Sequence, residues 1–182
     1  RSNFVGPLPS SIGLLTQLRE LYISYTSISG PIPPEIAGLS ALEAFAAHSL
    51  SGPGLGQLPD EIGHLPRLLD LDLTSSGLTG TIPKSINMLH RLRELILDWN
   101  SLIGDFPPLS PHLTSLTLLV GHNELSGGLE NLSGLPATFR SRDFSLSHNK
   151  ITGTIPAGLF TGAVDFFRVK LAHNKLEGTI PD

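Results

Sequence analysis

The chain has 182 residues with 19 glycines, 15 prolines, no cysteine and a formal charge of −4. Without cysteine there is no disulfide framework and no Cys-based metal or nucleophile chemistry, and mild acidity with no basic run in the sequence gives no reason to expect nucleic acid or an anionic membrane as partner. No apolar run approaches the roughly 20 residues of a membrane helix, and the opening RSNFVG lacks the charged and apolar regions of a signal peptide.

Most of the prolines and many of the glycines fall in phase with one another. A frame of apolar residue, any residue, Gly, any residue, apolar residue, Pro recurs at 4–9, 28–33, 78–83, 102–107, 151–156 and 176–181, and 125–130 keeps it with Glu130 in place of Pro. One position shortly before each frame is held by Thr26, Leu50, Ser76, Asn100, Asn123, Asn149 and Asn174, at steps of 24, 26, 24, 23, 26 and 25 residues. A fixed period in the twenties with Leu-x-x-Leu-x-Leu-x-x-Asn before the turn is that of a leucine-rich repeat solenoid. The fold expected is therefore an α/β solenoid: a right-handed superhelix with a parallel concave sheet, short helical turns on the convex side and little regular helix. Residues 1–182 should form one domain of about seven repeats of 23–26 residues after a partial N-terminal one. Neither end shows the polar terminal repeat that covers a solenoid's last apolar layer, so open ends, or caps outside this stretch, are expected.

In the first rung Leu21 and Ile23 alternate with Tyr22, as a short strand with the aromatic pointing out. Ile36 and Leu39 should pack on the far side as a helical turn too short to count as a helix. The second rung has Leu50 where Asn is wanted, and nine residues separate it from Pro59 where seven separate Ser76 from Pro83. That two-residue insertion should bulge outward. The third and fourth rungs are regular, and Asn100 opens an unbroken run of Asn. One amide offers donors and an acceptor to backbone groups the turn leaves unpaired; Thr26 and Ser76 do half of this, so the N-terminal half should be looser. In the fifth rung Leu118 and Val120 keep the strand phase while Leu116 falls outside. In the sixth, Ser141 stands where an inward Leu is expected, with Phe139 as its substitute; the seventh, with Phe166, Val169, Leu171 and Asn174, is regular again. Asn131-Leu132-Ser133 is the only glycosylation sequon.

The outward positions form columns along the concave sheet. The middle rungs contribute Glu43, Asp70, Asp72, Glu94 and Asp98 against Arg93, whereas the last two contribute Asp143 against Arg142, Arg168 and Lys170. Tyr22, Tyr25 and Trp99, every Tyr and the sole Trp, flank the acidic centre. Core packing does not explain such placement, and Tyr and Trp are enriched at binding hot spots. The partner surface expected is thus Tyr22, Tyr25, His48, Asp70, Asp72, Thr74, Glu94, Asp98, Trp99, Asp143, Arg168 and Lys170, meeting a basic protein. His122, His148 and His173 share one column. Parallel rings do not converge as a tetrahedral metal site requires, so a pH-sensitive face is the better expectation. No G-x-S-x-G, H-E-x-x-H or P-loop pattern is present, and an open sheet does not enclose a reaction, so neither catalysis nor a cofactor is expected.

The x-Leu-x-Gly-x-Ile-Pro tail resembles that of the plant extracellular leucine-rich repeats. ISYTSISGPIP, FSLSHNKITGTIP and VKLAHNKLEGTIPD resemble the polygalacturonase-inhibiting proteins over nearly the whole chain. That resemblance implies secretion to the cell wall, a second short sheet beside each Leu-x-Gly segment, and inhibition of a fungal polygalacturonase in plant defence through the concave face; in a secreted glycoprotein the sequon makes Asn131 the expected site of modification, and a monomer is expected. The family's cysteine-bonded caps are missing here. The alternative is part of a plant receptor kinase ectodomain that binds a peptide or hormone. A third reading, ice binding, calls for a flat array of Thr, Ser or Asn, and the mixed outward columns argue against it.

Overall fold

The computed structural model describes residues 4–132, 140–159 and 165–181. Seven short parallel strands, Glu20–Tyr22, Ala44–Ala46, Asp70–Asp72, Glu94–Ile96, Thr117–Leu119, Phe144–Ser145 and Val169–Lys170, pair in chain order into one sheet. One strand from each repeat, always joined to its sequence neighbour, is the topology of a solenoid. The second sheet implied by the resemblance is present as well. Gly56–Gln57, Leu78–Thr81, Ser101–Asp105 and Glu124–Ser126 make its four central strands, with two-stranded pairs at 5–6 with 27–28 and at 152–154 with 175–177.

On the convex side the described chain forms 3₁₀ turns, such as Pro34–Gly38, Asp60–His64 and Lys84–Met88, and no α-helix. Pro33, Pro59 and Pro83 precede them with φ of −69°, −74° and −66°. The pyrrolidine ring enforces that value, which is why the in-phase prolines set where each coil turns. Between the sheets and these turns runs a file of aliphatic side chains, with Leu71, Leu95 and Leu118 fully buried and Phe45, Phe106 and Phe144 the largest members. Each such side chain contributes roughly 1.5–3 kcal/mol when buried. At the ends of the array Phe4, Val5, Leu14 and Ile180 are exposed.

Two expectations are corrected. Leu116 is fully buried and not on the outside. Leu113 makes the turn hydrogen bond that Leu68 and Leu92 make in the preceding rungs, so the chain carries extra residues before the strand; Ser115 is exposed and bridges to Arg140, and Leu116 points inward. Ser141, also buried, donates its hydroxyl to the Leu116 carbonyl; its expected substitute Phe139 lies outside the described residues. The insertion after Leu50 is tight: Ser51 and Pro53 reach the surface, but Gly54 is buried and Leu55 returns to the core. Gly54 has φ +92°, and a Cβ there would stand 2.7 Å from Gly77 Cα. The backbones of the second and third rungs thus pack directly against each other here.

Candidate binding surface

The asparagine ladder fixes this surface. Asn100 Oδ1 accepts the N–H groups of Ser76 and Leu78 in the preceding rung, while its Nδ2 donates to the carbonyls of Leu73, Leu97 and Asp98. Asn123, Asn149 and Asn174 repeat the pattern, each tying its rung to the one before. Ser76 and Thr26 reach only their own rung, through Leu73 and Ile23 carbonyls. The sequence indicates the capping role of these amides but not the cross-tie.

Each residue just before the Asn position takes a left-handed backbone. Tyr25, Ser49, Ser75, Trp99, His122, His148 and His173 have φ between +49° and +60°. For residues other than Gly this region is sparsely populated and costly, and its repetition at one position marks it as imposed by the coil. Its effect is to aim that side chain off the sheet edge. As a result the rings of Trp99, His122, His148 and His173 stack in one pile, with successive centroids 3.6, 4.1 and 4.0 Å apart and planes 8°, 13° and 17° from parallel. The imidazole planes lie one over the next, so their nitrogens do not converge on a point. At the N-terminal end Tyr25 meets His48 edge to face at 4.9 Å. The repeat register places Trp99 and the three histidines in one column, each just before an Asn; the face-to-face stacking of the rings is what the structure adds.

Strand register explains the hollow at the acidic centre. Tyr22, Ala46 and Asp72 form one outward row across three strands, and Glu20, Ala44, Asp70 and Glu94 form the next. Neighbouring strands lie about 4.8 Å apart. Two alanines between a tyrosine and the carboxylates therefore leave a depression of about 440 Å³, walled by Tyr22 and His48 on one side and Asp70, Asp72 and Glu94 on the other. Alanines in an outward column are the sequence signal for such a hollow, and they carry no chemistry that would single them out.

The acids differ in their surroundings. Burial raises the Asp70 carboxyl above its usual range, opposed by Arg93. Burial likewise raises Glu94, helped by the charges of Asp70 and Asp72. Asp72 accepts both the backbone N–H and the hydroxyl of Thr74, so these two orient one another. Asp98 is raised chiefly by burial, against a hydrogen bond from the Gly121 N–H and the charges of His122 and Lys170. Asp143 is drawn into an ion pair with Arg168 at 2.9 Å. Tyr22, Tyr25 and Trp99 are exposed at 64%, 58% and 59%. The hollow thus gathers Tyr22, His48, Asp70, Asp72 and Glu94, with Thr74 behind Asp72. Asp98 and Trp99 adjoin the ring pile, and Asp143, Arg168 and Lys170 stand apart at the C-terminal end. Asn131 lies in the turn Glu130–Leu132, exposed, its Nδ2 donating to the Phe106 carbonyl.

The Leucine Rich Repeat family profile matches residues 17–39 and 142–161. Receptor-like protein 32 of Arabidopsis thaliana is 35% identical over 161 residues, covering 87% of this chain but 18% of that protein. The solved plant peptide hormone receptor RGFR1, in complex with RGF2, is 35% identical with a TM-score of 0.88, covering 98% of this chain and 28% of that one. The Arabidopsis receptor kinase HAESA, in complex with the peptide hormone IDA and the co-receptor SERK1, is 29% identical with a TM-score of 0.78, covering 98% of this chain and 33% of that one. A plant ice-binding protein, 24% identical with a TM-score of 0.54, shares the fold alone. The chain spans a third or less of these receptors and about a fifth of the curated relative, and no described helix is long and apolar enough to cross a membrane. The chain thus shares the leucine-rich repeat fold of plant receptor ectodomains and is similar in sequence to a plant receptor-like protein.

Proposed function

We propose that this chain is a ligand-recognition segment of an extracellular plant receptor-like protein, and that its concave face takes an extended peptide whose basic side chain enters the hollow over Ala44 and Ala46. The hollow carries this reading. A guanidinium or ammonium group placed there lies against the Tyr22 ring, where a cation–π contact is favourable, and is surrounded by Asp70, Asp72 and Glu94. Two structurally similar receptors are solved with peptide hormones bound, which supports a peptide as the occupant. Catalysis and a cofactor form no part of this reading, and Asn131, exposed on a turn away from the concave face, is open to N-glycosylation.

The test is calorimetric titration of the chain with an Arg-containing extended peptide and with the same peptide carrying neutral citrulline. The Arg form should bind and the citrulline form should bind markedly less. Ala46→Leu, which fills the hollow from an outward position, should abolish the difference. Equal binding of the two peptides overturns the assignment.

The same acidic centre, with the three repeat tails that resemble polygalacturonase-inhibiting proteins, supports a second reading: monomeric inhibition of a fungal polygalacturonase in the cell wall. An inhibition assay separates the two. Asp72→Lys and Asp70→Lys should relieve inhibition under the second reading; absence of inhibition by the unmodified chain removes it. Asp98→Lys is a poor probe because Asp98 also receives the Gly121 N–H.

A further inference from the structure

The arginines that look scattered in the linear sequence assemble along one flank of the coil, where each rung enters the concave sheet. Two adjoining hollows there, of about 190 and 330 Å³, share Ser115. Arg91 and Arg93 line one, Arg140 and Arg142 line the other, and Phe167 closes the far end, 80% exposed. No carboxylate lines either hollow among the described residues. Arg93 acts on Asp70 of the concave face, but Arg91, Arg140 and Arg142 make no salt bridge among the described residues; the ion pairs found there belong to Arg19, Lys150 and Arg168. Arg91, Arg140 and Arg142 therefore present cationic groups to adjoining hollows that no described carboxylate lines, and an anion entering the trough would meet their charge.

We propose that this flank binds an acidic, extended segment of a protein partner, independently of the concave hollow. Guanidinium forks match carboxylates bidentately. From the fourth rung to the sixth the trough runs about 10 Å, two strand spacings of roughly 4.8 Å, or about three residues of extended chain. Between the arginines the lining is polar, with His112, Thr114, Ser115 and Ser141, while the apolar Leu69 stands at one end and Phe167 at the other. Arginines flanked by Leu69 and Phe167 fit a peptide that carries apolar side chains beside its acidic ones. A polyuronide bears a carboxylate on every unit and has no apolar side chain to place there.

Fluorescence anisotropy with a dye-labelled peptide of alternating Glu and Leu tests this. The peptide should bind, more weakly as salt is raised. Arg91→Glu and Arg142→Glu should each weaken binding about tenfold, as rim charges do when reversed, while Lys84→Glu on the convex turn should leave it unchanged. Circular dichroism melts confirm that each variant is folded. Absence of peptide binding, or binding undiminished in both arginine variants, overturns the proposal. Oligogalacturonate binding that the arginine variants abolish, with no binding of the peptide, reassigns the flank to an anionic polysaccharide and also overturns it.

Discussion

Trp99 and His122 stack face to face, centroids 3.6 Å apart and 8° from parallel, and both do so from left-handed backbone, with φ of +60° and +52°. The pile they begin continues through His148 and His173, so His148 has an imidazole on either face. Desolvation between them, and then the charges of His173 and His122, hold the His148 imidazole below its ordinary value. Above about pH 6.5 folded and unfolded chains are both neutral at this group. As pH falls below that, the unfolded chain takes up a proton that the folded chain resists, so stability declines until the depressed folded value is passed. Urea midpoints recorded from about pH 8 to 5 should fall on the acid side, and His148→Gln should flatten that part of the curve. An identical profile in the variant refutes the coupling.

The carboxylates of the hollow work in the opposite sense. Burial raises Asp70 and Glu94 in the folded chain, so both are easier to keep protonated there than in the unfolded chain. Their contribution to stability is complete below the unfolded range near pH 4 and is lost as pH rises through the raised folded values. At neutral pH the charged Glu94 therefore costs stability, and Glu94→Gln should raise the urea midpoint at pH 7 while making little difference near pH 3. A midpoint lowered at pH 7 would show that Glu94 is held by a favourable partner instead.

What could be read from the sequence depended on whether the repeat itself carried the information. The inward Leu95 and Leu97 and the capping Asn100 recur at fixed spacing, so the coil, the concave sheet and the exposure of Tyr22, Tyr25 and Trp99 are legible from periodicity, whereas the second sheet follows only from the family resemblance. Departures from the repeat were not. Leu116 is buried although its place in the repeat is an outward one, and Gly54 packs its backbone against Gly77. The hollow at Ala44 and Ala46 is defined by missing side-chain volume, and the arginine flank by residues one or two rungs apart, which a linear charge count disperses. Gly54→Ala tests one of these departures. Its φ of +92° and the 2.7 Å approach of Gly77 Cα leave a methyl group no room, so the substitution should destabilise by more than the roughly 1 kcal/mol of backbone strain alone. A melting temperature equal to that of the parent chain would mean that the insertion is loose.

The regular core gives a simpler expectation. Leu95 is fully buried at the centre of the file, paired in register with Leu71 and Leu118. Leu95→Ala should cost about 2–5 kcal/mol by urea unfolding, whereas Ile103→Ala, at an exposed position of the second sheet, should cost under about 0.5 kcal/mol. Equal costs would refute the inward register.

Asn100 separates capping from cross-tying. Its amide accepts two N–H groups of the third rung and donates to carbonyls of both the third and fourth, so Asn100→Ala leaves backbone groups on two rungs unpaired, each costing roughly 1–3 kcal/mol if no water replaces the amide. Ser76 donates one hydroxyl to its own rung, and Ser76→Ala should cost about 1 kcal/mol. Because a repeat array is held by nearest-neighbour interfaces, the asparagine loss should also uncouple the halves: amide exchange should quicken first in the rungs before Asn100, while those tied by Asn123, Asn149 and Asn174 keep their protection. Uniform acceleration along the whole chain would show that the array unfolds as one unit and that the amides cap their own turns without governing how rungs hold together.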